Sequence, residues 1–172
     1  MIGACPHHGP ALAAGRDGTL HAVWFTGESP QGPGAFYARF DREGAMRERP
    51  RRLGPPQPGV GHSAVHVNGD RVVIVWKEAR GQSASLMAAT SRDGGQTFSA
   101  PRELATASHS ADHPTLVVTR RGLRVSWFSA DTGHRLLPIE EATRSHSRLL
   151  GRACTRMASV LTRCLVYIEP HR

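Results

Sequence analysis

Cysteine is scarce: Cys5, Cys154 and Cys164 are an odd number with no Cys-x-x-Cys pair, which argues against a disulfide framework and against a thiolate zinc site. Lysine is scarcer still, since 21 of the 22 basic residues are Arg. The formal net charge of +8 is therefore carried by guanidinium groups scattered through the chain. Without aromatic residues interleaved among them, they favour an acidic surface over DNA or RNA as a partner, and a nucleic-acid scaffold is the least favoured reading. The densest group is Arg47, Arg49, Arg51 and Arg52. On a predicted outermost strand, period two places the first three on one face, as a charged edge that discourages pairing or as a strip for an acidic surface. Phenols number two, Tyr37 and Tyr167. No apolar run reaches the length of a transmembrane helix.

What is present in quantity is glycine and proline, 18 and 12 residues, arranged as punctuation between short apolar runs. Trp24, Trp76 and Trp127 lie 52 and 51 residues apart, each in an apolar strand-like segment (19–25, 71–76 and 123–128). Before each comes a turn, Arg16-Asp17-Gly18, Asn68-Gly69-Asp70 or Arg120-Arg121-Gly122, and before each turn another short apolar run. Asn-Gly and Asp-Gly are strong hairpin signals. Leu53 and Leu104 repeat the spacing at 51, each with Pro three residues earlier. The pattern predicts two four-stranded units, 8–54 and 60–104, and three strands of a third over 112–139, an all-β fold built on a repeat.

Between two strand-like segments stands Ser91-Arg92-Asp93-Gly94-Gly95-Gln96-Thr97-Phe98. Short Ser and Asp side chains accept hydrogen bonds from backbone N–H groups ahead of them, Gly supplies positive φ, and the aromatic ring can tuck beneath the loop. Ser91, Asp93, Gly95, Thr97 and Phe98 thus specify a turn, expected to join the third and fourth strands of the second unit. The segment 36–44 looks like a worn copy, with Asp41 one place out of register.

Ser-x-Asp-x-Gly-x-Thr-aromatic is the Asp box, and with the repeat around it residues 5–139 resemble the BNR or Asp-box proteins of the sialidase superfamily. The resemblance implies a β-propeller, in which four-stranded blades close a ring of six. Fewer than three blades are expected here, so the chain is expected to be a partial propeller: a fragment, a truncated form, or a half-ring that dimerises, with the first two favoured. Self-association through exposed blade edges follows. The resemblance also implies an exported or periplasmic location.

Sialidases use a Tyr nucleophile assisted by Glu, an Asp acid/base and three Arg that grip the substrate carboxylate, a task suited to the planar guanidinium fork. The Arg-Ile-Pro motif that usually supplies the first Arg is absent, Tyr37 sits beside Phe36 and Phe40 as a packing residue, and Tyr167 lies beyond the repeat. No catalytic set is assigned. Candidates for a binding cleft are Glu78 and Arg80, just after the Trp76 strand, and Arg135 in the third unit. His8, His62 and His113 each stand three or four residues before the centre of a unit's first strand; if first strands are innermost, these imidazoles converge and could hold an anion or a metal. No cofactor and no metal site is assigned. Residues 140–172 break the pattern: Leu150, Ala153, Met157, Leu161, Cys164 and Ile168 follow helical spacing with Arg opposite, predicting a basic amphipathic helix or a loose tail.

The expected function is that of a non-catalytic propeller fragment binding carbohydrate, acidic glycans above all, or protein. The alternative is the C-terminal part of an exo-α-sialidase whose catalytic residues lie in blades outside this chain.

Overall fold

The structure, a computed structural model, describes residues 9–27 and 29–139. These residues form eleven β-strands and no helix. The first sheet contains β1 (Ala11–Ala14), β2 (Leu20–Thr26), β3 (Gly34–Phe40) and β4 (Arg51–Leu53); the second, β5 (Val60–Asn68), β6 (Arg71–Arg80), β7 (Ser83–Ser91) and β8 (Arg102–Ala107). The third has β9 (Thr115–Thr119), β10 (Gly122–Ser129) and β11 (Gly133–Pro138). Every sheet is an antiparallel meander in chain order. The expected tail helix, its Cys and Arg residues, Tyr167, Cys5 and His8 lie outside the described residues.

Local chemistry sets these boundaries. At the turn from the first to the second strand of each sheet stands a Gly in the left-handed region, Gly18, Gly69 and Gly122 at φ 81, 57 and 95°, a conformation that other residues adopt only with strain. Asp17 reinforces the first turn by accepting from the Thr19 N–H at 3.0 Å and from its hydroxyl at 2.7 Å. The worn copy at 36–44 works despite its shifted register. Asp41 Oδ1 accepts the Ala45 N–H at 2.7 Å, as Asp93 Oδ1 accepts that of Thr97, also four residues on, at 2.9 Å.

The second sheet is covered on both faces. Side chains alternate along β6, and Val72, Ile74 and Trp76 pack with Val23, Ala35, Tyr37 and Leu53 of the first sheet. Val73 and Val75 pack with Val125 and Trp127 of the third. A strand buried on both faces reads as a continuous apolar run, which is why Val72-Val73-Ile74-Val75-Trp76 lacks the alternation of a half-exposed strand. Trp76 faces the preceding sheet, and Trp127 does the same one sheet later; each is 1% exposed. Trp24 lies on the opposite side of β2 from Val23, where no described sheet precedes it. It is half-buried and stacks on Phe36 across the strand pair, centroids 6.2 Å apart.

The charged edge is corrected in detail. β4 begins only at Arg51, so Arg47 and Arg49 are not on that strand and the period-two argument does not join them to it. Arg51 is turned toward the second sheet instead of lying along a solvated edge.

Candidate functional site

The Asp-box turn joins β7 to β8. Ser91 Oγ lies 2.7 Å from Asp93 Oδ1 and accepts the Gly95 N–H at 2.8 Å, while Asp93 accepts the Thr97 N–H at 2.9 Å and its hydroxyl at 2.6 Å. Hydrogen bonds from Ser91 and then from Thr97 hold the Asp93 carboxyl well below the usual carboxylate range, because each stabilises the charged form.

The turn is also a docking point for the first sheet. Arg51 donates to the carbonyls of Gly95 and Gln96, and its guanidinium lies 5.5 Å from the Tyr37 ring centre and 5.6 Å from that of Phe98. Arg39 donates to the Gly94 carbonyl at 3.2 Å and pairs with Glu48 at 2.8 Å. Phe98 meets Tyr37 edge to face at 4.8 Å. Gly95, at φ 80°, is pressed so closely on Tyr37 that a Cβ would overlap the phenol oxygen.

Tyr37 is fully buried, with its hydroxyl 2.6 Å from His21 Nδ1. Burial raises the phenol pKa far above its ordinary value and lowers that of His21, so both are neutral at physiological pH. A phenol in that position serves the sheet interface and is closed to a substrate.

Arg16, Asp17, Thr19, His21, Arg39 and Asp93 are among the residues lining a cleft of about 360 Å³ between the first-sheet turn and the Asp box. Its principal groups are already engaged: Asp17 by Thr19, His21 by Tyr37, Arg39 by Glu48 and Asp93 by Ser91 and Thr97. That pairing describes a structural joint.

The remaining candidates stand at the other end of the strands. Ser91 pairs with Val72, whereas Ser85 pairs with Glu78, so the Asp box and Glu78 mark opposite rims. Glu78 is 7% exposed and accepts the Trp76 indole N–H at 2.9 Å; Arg80 reaches its other oxygen at 3.4 Å. His62 sits where the register between β5 and β6 shifts, between Gly61 and Ser63, and the bulge re-aims its side chain. Its ring lies 6.1 Å from Phe25 of the first sheet and stacks on His113 of the approach to β9, centroids 3.1 Å apart. Two repeat-related imidazoles are thus brought together. Among the described residues, no group of three or more His, Cys, Asp or Glu is gathered as metal ligands.

Arg135 lies across the strand pair from Trp127, its guanidinium 6.0 Å from the indole ring, and its Nε is buried with no hydrogen-bond partner among the described residues. Nothing described joins it to Glu78 and Arg80, so the candidates fall into three groups: the Glu78–Arg80 pair, the imidazole pair and Arg135. Lys77, which no motif in the sequence marks, donates to the Ala111 carbonyl at 2.8 Å and ties the second sheet to the segment before β9. Its position directly beside Glu78 was the available signal.

No helix among the described residues is long and apolar enough to cross a membrane. In comparisons with known proteins, no family model and no curated protein matches the chain.

Proposed function

We propose that this chain is part of a sialidase-like Asp-box propeller, an arc of blades that binds carbohydrate, acidic glycans above all, and does not cleave it. The observation that carries this reading is the complete Asp-box turn in a four-stranded antiparallel meander, at the hairpin from third to fourth strand. Its support is architectural. What favours binding over hydrolysis is the state of Tyr37, the one described phenol: it is enclosed between sheets, neutral and hydrogen-bonded to His21. The Glu78–Arg80 and His62–His113 rim supplies charged and aromatic groups of the type that line a binding cleft.

The test is titration of the full chain with a panel of neutral, uronate-containing and sialylated oligosaccharides, with released sugar assayed in parallel. Saturable binding of acidic members without release is expected. Release of sialic acid would point to an exo-α-sialidase, and binding only to protein partners would move the chain to the protein-recognition class.

A further inference from the structure

Among the described residues, the outward face of the third sheet departs in chemistry from its counterpart in the second. With Trp127 aligned on Trp76, Arg124 and Ser126 occupy the positions of Val73 and Val75. The β10–β11 pairing places His134 and Leu136 where Leu86 and Ala88 stand in the second sheet. In the second sheet, Val73, Val75, Leu86 and Ala88 are all fully buried and belong to the core shared with the third sheet. In the third sheet, three of the four positions are polar, and the face is open: Val117 is 37% exposed, Phe128 47% and Leu136 52%. A further sheet packed there would bury Arg124, Ser126 and His134 in place of aliphatic side chains, at substantial desolvation cost. The substitution suits a face that meets water or a polar ligand.

The same face has a directional charge. Thr119, Arg120, Arg121, Arg124 and Leu136 line a cleft of about 420 Å³, and none of these described residues is a carboxylate. Among the described residues none of these three Arg is in an ion pair. From Arg124 the outward side chains of β10 run through Ser126 to Phe128, a span of about 13 Å at strand rise. Ser126 Oγ lies 2.7 Å from His134 Nε2, and His134 pairs across the ladder with Phe128. A guanidinium cluster at one end, a hydroxyl–imidazole pair in the middle and an exposed aromatic ring at the other make a linear surface for an anionic, hydroxyl-rich and partly apolar ligand.

We infer that this face, with Arg120, Arg121 and Arg124 as the anion grip and Phe128 as the stacking platform, binds carboxylate-bearing oligosaccharides. This rests on the carbohydrate-binding reading and adds to the Glu78 rim a second site, on the third sheet. Arginine supplies paired N–H donors to a carboxylate, and Phe128 offers an apolar surface to the C–H face of a sugar ring.

The experiment is calorimetric titration of the full chain with linear tetragalacturonate and, separately, with its methyl ester, which has the same rings but no charge. The acid form is expected to bind and the ester to bind at least tenfold more weakly. Arg124→Gln and Phe128→Ala are each expected to weaken the acid form at least tenfold with the melting temperature retained. The charge-matched control Arg42→Gln, at a side chain 80% exposed, should bind like the unmodified chain. Should Arg124 prove necessary for folding, Arg121→Gln in the turn provides the same readout. Equal losses with Arg42→Gln, or none with Arg124→Gln and Phe128→Ala, would overturn the assignment while leaving carbohydrate binding standing. Failure of every acidic glycan in the wider panel would remove the functional reading itself. If sedimentation shows that Phe128→Ala dissolves a dimer and leaves glycan affinity unchanged, the face belongs to a second copy and the inference fails.

Discussion

Asp93 is the residue on which the most local structure depends, and its effect has a pH signature. Its pKa is depressed in the folded state, so its stabilisation is present above the unfolded carboxylate value and is lost as pH falls toward the folded one. Asp93→Asn should therefore melt below the unmodified chain at pH 7, with the gap closing as both are acidified below the ordinary carboxylate range. Thermal melts at a series of pH values check this; a gap that persists unchanged at pH 2 would contradict it. Gly95 and Gly94 provide a second contrast. Both have positive φ, but a Cβ at Gly95 meets Tyr37 and one at Gly94 meets nothing closer than Asp70 at 4.0 Å. Gly95→Ala should lose more stability than Gly94→Ala, which carries only the backbone strain of roughly 1–3 kcal/mol.

Among the elements, the sheets depend on their faces and joints. Trp76 is enclosed between the first and second sheets, and Trp76→Ala should cost about 3–5 kcal/mol in chemical denaturation. Trp24→Ala should cost clearly less, because no described sheet covers it; equal losses would mean the Trp24 face is packed just as fully. Arg51→Ala removes charge-assisted bonds to two Asp-box carbonyls, each of a kind worth at most roughly 1.5–3 kcal/mol and less where exposed, and should lower stability in chemical denaturation. Hydrogen exchange should show the Gly94–Thr97 amides losing protection before β6 does. The strands themselves were legible in the sequence, because Trp spacing, Gly-containing turns and β-branched runs are local signals. Asp41 was harder, since its register is displaced although its hydrogen bond is not. The role of Arg51 was not legible at all: its partners are 44 and 45 residues away, and composition shows only an Arg-rich segment. The convergence of His62 and His113 could be anticipated from the repeat, whereas the bulge that aims His62 could not.

Across the described residues, three packed sheets leave open strand edges and a polar face on the third sheet. In the first two sheets a fourth strand pairs with the third, at Ala35–Tyr37 and Ala84–Ala88; β11 has no such partner among the described residues. Open strand edges favour association, so self-association that rises with concentration is expected by sedimentation, and a strict monomer at all concentrations would show the edge to be covered. The polar third-sheet face was readable only after pairing fixed which side of β10 each residue takes, since Arg124 and Ser126 by themselves look like ordinary strand charges. The central claim is that these sheets bind acidic carbohydrate without cleaving it. The most direct measurement is titration of the full chain with acidic oligosaccharides while free sugar is quantified. Saturable, salt-sensitive binding with no sugar released is the predicted result; no binding by any acidic member, or steady release of sugar, would contradict it.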